Sequence, residues 1–502
     1  MHTRTIFGIP IALALVLASL YAFFLAVPID LTTADLGRHI KNGQLFFETF
    51  RPLNTNFYSY THSEFPVLNH HWGSGIVFFL IGKLFGFVGL SVFYMLLCIA
   101  AFLLLFWIAW KEAGFTISAL MAVFLIPLMA HRMEIRPEGF SYLFSALFFF
   151  ILWKHKRGEI AFRWLFILPI FSALWVNLHI YFVLGAGIIG AFLLSALIRK
   201  EDRSLIKRFG IIAMLTALAG FVNPFGIDGA LYPFAIFREY GYTVLENQSV
   251  WFLENIHFPL PNLRLFEIAL ALYVCSVIAV LIKRRAHFHF ALFFITAFFG
   301  IMGFFAVRNF ALFALFALPS LSLHVSSLLS RRWIQKNFPR RVFPLVCAFV
   351  ILFANYKSIM LHVRHGGIGL AKGNSGAAEF FLRAGIKGPI FNNYDIGGYL
   401  VYYLFPDERV FVDNRPEAYP AAFFQKEYIP MQEDVSVWNE KNKAYGFNAI
   451  VFGYHDATPW GKMFLRRIIN DPSWAPVYFD KYALVLLKRT FGNQKIIEKY
   501  DL

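Results

Sequence analysis

Long apolar runs separated by short polar loops dominate the first 361 residues of the chain. Most of these runs approach the roughly 18–20 residues that an α-helix needs to cross a bilayer. The candidate membrane spans are 5–28, 90–110, 115–131, 139–154, 163–178, 180–198, 208–222, 264–282, 290–307, 310–328 and 343–361. The pattern therefore predicts an α-helical polytopic membrane bundle with about eleven transmembrane helices.

Basic residues concentrate in short loops between these runs. The clusters are 154–159, 199–208, 283–285 and 330–341. They fall on one side of the predicted bundle, together with the N-terminus, and the positive-inside rule makes that side cytoplasmic. The sequence thus predicts a multi-pass protein of the plasma (inner) membrane with a cytoplasmic N-terminus. An odd number of spans places everything after residue 361 on the extracytoplasmic side.

Two segments depart from the pattern of spans. The run 72–87 is apolar but short and carries Lys83, so it is predicted to lie at the outer membrane interface, within a long first outer loop at 29–89. From residue 362 onward the chain is more polar, with strand-like runs at 388–394, 409–415, 448–455 and 482–489 and helical stretches at 376–385 and 461–470. This alternation predicts a C-terminal extracytoplasmic α/β domain over 362–502, after a transmembrane domain over 1–361.

Composition supports membrane insertion and argues against a nucleic-acid partner. Hydrophobic residues make up 58% of the chain and charged residues 15%, where soluble domains are about a quarter charged. The net charge is +16, but residues 362–502 carry 17 Lys and Arg against 15 Asp and Glu, so most of the excess lies in the membrane part. The positive-inside rule accounts for that excess without nucleic acid.

Ionisable residues gather on the predicted outer face, at the ends of spans or in short loops. Charged groups at membrane depth are costly and usually face a cavity, so the clustering predicts a shared outer cavity. A carboxylate there can act as a general base, and Arg or His can hold a phosphate leaving group. The candidates are Asp30, Asp35, His39, His70, His71, Arg136, His179 and Arg308. Such a cavity suits a substrate with a lipid tail and a phosphorylated head.

The first outer loop resembles that of bacterial GT-C-type membrane glycosyltransferases, an uncharacterised subgroup included. The resemblance rests on "ADLGRHIKNGQLFF" (34–47) and "PLNTNFYSYTHSEFPVLNHHWGSGIVFFLIGKLFG" (52–86). Later stretches also resemble those proteins, at 136–144, 174–179, 222–226 and 391–420. The matching positions are Asp35, His39, Gly43, Pro52, Phe57, Ser59, Thr61, His70 or His71, and Trp72.

The resemblance implies a fold and an activity. It implies a GT-C-like bundle that uses a polyprenyl-phosphate-linked sugar donor and an extracytoplasmic glycan, lipid or protein acceptor, in contact with membrane lipids. The position that matches the family's catalytic Asp is Asp35, and Asp30 is the alternative. The adjacent acidic pair that many members carry is absent, which leaves the choice of base open. Arg136 and Arg308, with the histidines, are expected to hold the lipid phosphate.

Each candidate also has a structural explanation. Asp35 suits the N-cap of a helix that begins near Leu36, and His39 shares its helical face. His70 and His71 suit a helix start or an aromatic belt, and adjacent side chains diverge on a helix or strand, which disfavours a metal site there.

The remaining candidates have structural readings too. Arg136, held extended before Pro137, has Glu134 or Asp35 as ion-pair partners. His179 and Arg308 suit snorkelling at span ends. Asp413 and Arg415 suit turn chemistry or acceptor contact.

The sequence also bears on cofactors and on alternative functions. No cofactor is assigned and no metal ligands are named, although Mg or Mn at the outer carboxylates is left open. The main alternative is a lipid-linked glycan ligase that moves a whole glycan from a polyprenyl pyrophosphate. A non-catalytic transporter or scaffold of lipid-linked glycans is the alternative from another class, and a transporter is disfavoured because the sequence lacks evident internal repeats.

Overall fold

The computed structural model describes residues 2–235, 239–260, 262–284, 288–329 and 356–500, with 349, 353 and 502. The chain is mostly helical, at 67%. Its contacts divide it into two compact units. The first, here the bundle unit, comprises Met1–Val27, Ser91–Pro233 and Val244–Gly367, and the second, the loop–tail unit, comprises Pro28–Leu90, Phe234–Thr243 and Ile368–Leu502.

The bundle unit is built from apolar α-helices joined by short turns. Its α-helices are His2–Leu25, the C-terminal part of Trp72–Ala113, Phe115–Met129, Glu138–Lys156, Ile167–Trp175, Val183–Ile198, Arg203–Ala219, Gly226–Ala235, Val250–Asn255, Leu263–Lys283, Phe290–Phe305, Phe310–Leu328 and Tyr356–His365. Short 3₁₀ turns cover Phe162–Phe166, Ile180–Phe182, Leu245–Asn247 and Val307–Asn309. The helix Phe310–Leu328 is buried continuously from Phe310 to His324, so it forms the centre of this unit.

The predicted spans, apart from the last, are largely helical, but the count of eleven is not confirmed. Within the described residues, four helical segments are long and apolar enough to cross a membrane by length and composition, namely Trp72–Ala113, Ile180–Ile198, Leu263–Lys283 and Val307–Leu328. Other helices are shorter, as Phe115–Met129 is, or carry charge at their ends, as Glu138–Lys156 does. The basic loop 330–341 and most of the predicted span 343–361 lie outside the described residues.

The loop–tail unit contains two helical segments from the predicted first outer loop. The loop helix is Leu36–Thr49, and the long helix is Trp72–Ala113, of which residues 72–90 belong to this unit. The long helix is interrupted at Gly86, whose φ of 64° and ψ of −165° are not helical. Glycine tolerates this conformation because it has no Cβ. The break falls at the end of the predicted interface helix 72–87, whose interfacial position stays a prediction.

The rest of the loop–tail unit carries a four-stranded mixed sheet with helices around it. The strands are β1 (Ile390–Asn392), β2 (Ala449–Gly453), β3 (Trp474–Phe479) and β4 (Ala483–Lys488). Their order is β1-β2-β4-β3, with β1 parallel to β2 and the other pairs antiparallel. Ile390 pairs with Ala449, and Ile450 pairs with Leu486. This sheet agrees with the small α/β domain that the sequence predicts.

The helical elements of the tail follow its capping signals. They are Gly376–Arg383, Gly397–Leu404, Ala421–Phe423, Pro430–Glu433, Val435–Tyr445, Pro459–Ile468 and Gln494–Tyr500, with a π-turn at Phe424–Tyr428 and 3₁₀ turns at Pro416–Ala418 and Phe491–Asn493. Asp434 accepts from the Ser436 and Val437 amides at one helix start, and Gly446, at φ 64°, ends that helix. Buried aromatic side chains, Phe391, Trp438 and Phe464 among them, form the core against the sheet.

One strand prediction in the tail was wrong, and one strand was missed. The run 409–415 is a loop, because its backbone bonds to residues 58–61 instead of a sheet: Tyr60 N donates to Val410 O, and Ser59 Oγ donates to Phe411 O. Strand β3 was not predicted, because Pro476 within Trp474–Phe479 argues against a strand. It is tolerated beside a register shift between Pro476 and Tyr478 on an edge strand.

Candidate functional site

Asp35 stands at the start of the loop helix but does not cap it. Its backbone is helical, at φ −69° and ψ −12°, and its side chain makes no capping hydrogen bond. Oδ1 lies 3.7 Å from Nη2 of Arg38, one turn along the helix, and the Asp35 side chain is 20% exposed. The capping explanation of Asp35 is therefore not realised, and its carboxylate stands beside a guanidinium at a partly open position.

Arg38 and Lys41 attach the loop helix to the tail. Nε of Arg38 donates to Oδ1 of Asn414 at 3.1 Å, and Nζ of Lys41 donates to the Phe405 carbonyl at 3.1 Å. Burial lowers the pKa of Lys41, partly offset by the charges of Glu48 and Asp407. A Cβ on Gly37 would lie 3.0 Å from the Gly398 carbonyl oxygen, so only a glycine fits this approach without a shift.

The positive charge of Arg38 also acts on a second carboxyl group, that of Glu417. Burial raises the pKa of Glu417, and the charges of Arg38 and Arg415 oppose that shift. Both Glu417 and Asp35 also raise the pKa of Tyr394, after the larger effect of burial on that phenol. The surroundings of Arg38 thus carry carboxylates from two distant parts of the chain, which the sequence alone does not connect.

One carboxylate oxygen of Asp30 is engaged in local structure. Its Oδ1 accepts from the Thr32 amide at 2.9 Å, from Thr32 Oγ1 at 2.5 Å and from Asn374 Nδ2 at 2.8 Å. Asn374 in turn accepts from the Leu31 amide at 2.9 Å. These bonds join the segment after residue 28 to the tail, so the geometry of Asp30 is that of a structural turn residue.

The three candidate histidines of the first outer loop come together. His39 is buried, at 2% exposure, and its ring centroid lies 5.4 Å from that of His71. The His70 and His71 centroids are 3.8 Å apart, so the prediction that their side chains diverge was wrong. They occupy a turn that precedes the long helix, where the alternation of a strand or the periodicity of a helix does not apply.

Two glycines bring the loop helix against the long helix. A Cβ on Gly43 would lie 2.1 Å from the Gly75 carbonyl oxygen, a distance that no side chain allows. Gly43 lies one turn after His39, and Gly75 lies one turn after His71, so the close contact sets the distance between the two imidazoles. Among the described residues no group of three or more His, Cys, Asp or Glu side chains is placed to hold a metal ion.

Asp413 and Arg415 form a buried ion pair. Arg415 donates from Nε to Asp413 Oδ1 at 2.8 Å and from Nη2 to Oδ2 at 2.6 Å, and also to Asn56 Oδ1 at 2.6 Å. The guanidinium lies over the Tyr58 ring. Burial alone would lower the pKa of Arg415, but Asp413 raises it above its ordinary value. The pair joins the first loop to the tail within the unit, in keeping with the structural reading.

The other sequence-predicted arginines belong to an ionic cluster in the bundle unit. Three guanidinium groups face three carboxylates there, those of Arg132, Arg136, Arg308, Glu134, Glu138 and Glu246. Arg136 lies 2.8 Å from Glu134 and 3.2 Å from Glu246, and Arg308 lies 2.5 Å from Glu138. Glu134, one of the two partners predicted for Arg136, is thus among its ion-pair partners.

Glu246 is the member of this cluster that sequence reasoning missed. Its Oε2 lies 2.6 Å from Nη1 of Arg132, and burial alone would raise its pKa. Arg132 and Arg136 hold the pKa of this carboxyl well below its usual range instead. Arg308 also donates to Asn247 Oδ1 at 2.8 Å, so its side chain, 16% exposed, is paired within the protein instead of snorkelling. In the sequence Glu246 is one acidic residue in a polar loop, and no local pattern predicts that it pairs with Arg132 and Arg136.

His179 lies in a separate hydrogen-bonded group of the bundle unit. It is buried, at 1% exposure, and its Nδ1 lies 2.7 Å from Ser141 Oγ. Ser141 Oγ also accepts from Trp175 Nε1 at 2.7 Å. The snorkelling interpretation of His179 was therefore wrong, because the ring is enclosed by helix side chains.

The candidate residues are divided between the two units. The loop–tail unit contains Asp30, Asp35, His39, His70 and His71, and the bundle unit contains Arg136, His179 and Arg308.

Solved structures similar to this chain are lipid-dependent glycosyltransferases. The archaeal oligosaccharyltransferase AglB from Archaeoglobus fulgidus, in complex with an inhibitory peptide and a dolichol-phosphate, matches 88% of this chain and 69% of its own, with a TM-score of 0.60 and 13% identity. ArnT from Cupriavidus metallidurans in the apo state matches 97% of this chain and 98% of its own, with a TM-score of 0.54 and 13% identity.

A second ArnT structure agrees with the first. ArnT bound to undecaprenyl phosphate matches 95% of this chain and 97% of its own, with a TM-score of 0.51 and 12% identity. No protein-family model matches the chain, and no curated protein does. At these identities the likeness shows the fold. The chain therefore has the fold of the GT-C-type membrane glycosyltransferases, as its first-loop motifs predicted.

Proposed function

We propose that this protein is a membrane glycosyltransferase that moves a sugar from a polyprenyl-phosphate-linked donor to an extracytoplasmic acceptor, with Asp35 as the base. The observation that carries the proposal is the state of Asp35. Its side chain leaves the helix uncapped, is 20% exposed and lies 3.7 Å from Arg38. A partly exposed carboxylate beside a guanidinium can take the proton of an incoming hydroxyl group.

The chemistry that follows is a displacement at the anomeric carbon. The acceptor hydroxyl oxygen forms the new glycosidic bond while the bond from the anomeric carbon to the phosphate oxygen breaks. The hydroxyl proton passes to the Asp35 carboxylate, and the electron pair of the broken bond leaves with the lipid phosphate. Cationic groups that meet the leaving phosphate lower the barrier, because negative charge develops there.

The phosphate-holding role of Arg136, His179 and Arg308 stays a prediction. The cluster around Arg136 and Arg308 is balanced, with three guanidinium groups against three carboxylates. A phosphate that bound one of these arginines would have to compete with Glu134, Glu138 or Glu246. His71 contacts both His39 and His70, and the proposed role of the three histidines is likewise contact with the donor phosphate.

Asp30 is the weaker candidate for the base. One of its carboxylate oxygens accepts three hydrogen bonds, which would have to break or rearrange before that oxygen took a proton. Mg or Mn is not required by the proposed steps, and metal dependence remains open to the same assay by addition of a chelator.

The fold supports the class of reaction, and it favours one rival. AglB is an oligosaccharyltransferase that was solved with dolichol-phosphate, and ArnT was solved with undecaprenyl phosphate. Transfer of a larger lipid-linked glycan is therefore the second candidate function, on the strength of the AglB likeness. Both candidates share the lipid-linked donor and the extracytoplasmic acceptor.

The experiment that tests the class uses purified full-length protein in nanodiscs. Radiolabelled sugars on polyprenyl phosphate and glycans on polyprenyl pyrophosphate are offered with cell-envelope lipid and glycan fractions as acceptors. Transfer of label from a monophosphate donor supports the proposal, and transfer only from a pyrophosphate-linked glycan selects the rival. Binding of donors without transfer of label from any of them contradicts the enzyme and points to a transporter or scaffold.

A further inference from the structure

A cavity of about 650 Å³ in the loop–tail unit lies between the loop helix and the first part of the long helix. Its size is that of a small-molecule site. The inner wall contains Ile40, Leu90 and Phe87, and Tyr402 closes one side with its ring centroid 6.0 Å from that of Phe87. Ile40 and Leu90 are buried, so the inner part of the cavity is apolar.

The break in the long helix shapes this cavity. Gly86 lines it and has a φ of 64°, and a Cβ there would meet no heavy atom within 4 Å. The glycine is thus required by the backbone conformation and not by crowding. The space beside Gly86 is open, and the chain direction changes so that Phe87 and Leu90 face the same cavity as Ile40.

Two opposite charges stand at the exposed mouth of the cavity. Lys83 and Glu48 both line it, and neither forms an ion pair with a described residue. Glu48 accepts from Gln44 Nε2 at 2.9 Å, and Nζ of Lys83 lies 5.8 Å from the centroid of the Phe79 ring. The mouth therefore offers a cation and an anion to one ligand.

Large apolar side chains are exposed on the same two helical segments. Phe50 is 75% exposed, Leu84 is 70% and Phe85 is 69%. Phe47 and Leu80, each 40% exposed, line the cavity as well. Exposed apolar side chains in such number mark a surface that lies against lipid or another apolar partner. A ligand that reaches this cavity therefore comes from a membrane.

We propose that this cavity binds one zwitterionic aminophospholipid, with its phosphate at Lys83, its ammonium at Glu48 and part of an acyl chain against Ile40, Phe87 and Leu90. The cavity is lined by one cation and one anion, which are opposite in sign to the two charges of that head group, and its apolar interior suits an acyl chain. The primary ammonium has three N–H donors for the carboxylate, which a quaternary ammonium lacks. Asp35, His39, His70 and His71 do not line this cavity, and the proposal does not rest on sugar transfer.

The test measures lipid binding to the full-length protein by native mass spectrometry from detergent micelles doped with one lipid at a time. The lipids are phosphatidylethanolamine, phosphatidylcholine and phosphatidylglycerol with the same acyl chains. We expect one phosphatidylethanolamine per protein, bound about tenfold more tightly than the other two, as one charge-assisted hydrogen bond provides. Equal binding of the three lipids, or no retained lipid, overturns the proposal.

Charge-removing variants locate the site. Lys83→Met is expected to weaken binding of phosphatidylethanolamine about tenfold, and Glu48→Gln to abolish the preference over phosphatidylcholine. Lys443→Met and Glu440→Gln are matched controls, because both residues are exposed on another helix of the same unit. Loss of lipid binding in a control variant contradicts the head-group assignment. So does a wild-type protein that prefers phosphatidylglycerol, if Glu48→Gln strengthens that preference. Thermal unfolding of each variant without lipid shows that folding is retained.

Discussion

The Arg415 guanidinium and the Asp413 carboxylate form a two-point ion pair that is almost completely buried, with side-chain exposures of 4% and 0%. The same guanidinium donates to Asn56, more than three hundred residues earlier in the sequence. This single side chain therefore ties the first outer loop to the tail within the loop–tail unit. Because the loop helix Leu36–Thr49 immediately precedes the segment that contains Asn56, the pair also supports the position of Asp35.

Breaking this pair should destabilise the protein. Arg415→Met leaves the Asp413 carboxylate buried without its counter-ion, and such losses cost about 3–5 kcal/mol. We expect a clear decrease in the midpoint of thermal unfolding in detergent. Lys443→Met, an exposed lysine in the same unit, is the control and should leave the midpoint unchanged. An Arg415→Met protein as stable as wild type would show that the pair is not a structural tie.

Asp30→Asn should change stability and leave the chemistry in place. The substitution weakens the hydrogen bonds that Oδ1 accepts from Thr32 and Asn374. A loss of about 1–2 kcal/mol is expected from weaker bonds to a previously charged acceptor. Chemical unfolding measures the loss, and the transfer rate per folded molecule should stay within a few-fold of wild type. A transfer rate that disappears while stability is retained would make Asp30 the base.

The contact between Gly43 and Gly75 should not tolerate even one methyl group. A Cβ on Gly43 would lie 2.1 Å from a backbone oxygen, so Gly43→Ala forces the loop helix away from the long helix. Overpacking of this kind costs about 1–3 kcal/mol or more. Gly492→Ala is the control, because its Cβ would meet nothing within 4 Å. Equal unfolding midpoints for the two variants would contradict the close approach of the helices.

Glu246 should make stability sensitive to acid. Its pKa is held below the ordinary value of 4.5 by Arg132 and Arg136, after burial, which acts in the opposite direction. A carboxyl group with a depressed pKa stabilises the folded state fully above its unfolded pKa, and this contribution is lost as the pH falls through the folded pKa. Wild type should therefore lose stability below about pH 4.5 more steeply than Glu246→Gln.

Thermal unfolding across pH 7 to pH 3 measures this difference. Glu246→Gln should be less stable than wild type at pH 7, because Arg132 and Arg136 lose a charged partner. The difference in stability between the two proteins should become smaller as the pH falls. If the stability of the two proteins changes with pH in parallel, the ionic cluster does not bind fewer protons in the folded state than in the unfolded state.

Local sequence patterns predicted much of the fold because apolar periodicity and caps act over a few residues. They predicted β1, β2 and β4, the helices at 376–385 and 461–470, and the separate apolar segment ending near Gly86. The run 409–415 has the alternation of a strand but bonds to residues 58–61, and the sequence contains no sign of that competing partner. The span count was less accurate, because several apolar helices are short or charged at their ends.

The candidate site was predictable only where its partners are near in sequence. The periodicity of a helix predicts that Asp35 and His39 share a face, and Arg136 beside Glu134 is likewise a local pair. Glu246 meets Arg132 across more than one hundred residues, and Asn414 meets Arg38 across more than three hundred. Contacts between residues so far apart in the sequence depend on how each unit folds, and no local pattern in a single sequence predicts them.

The most direct test of the account compares Asp35→Asn with wild type and with Asp30→Asn in single-turnover sugar transfer from a polyprenyl-phosphate donor. Donor binding is measured on the same samples, so that the chemical step is separated from recognition. We predict that Asp35→Asn binds donor like wild type and loses about 10²–10⁴-fold in the rate of transfer, the usual contribution of a general base. Asp35→Asn that transfers sugar as fast as wild type, with equal donor binding, would contradict the assignment of Asp35 as the base.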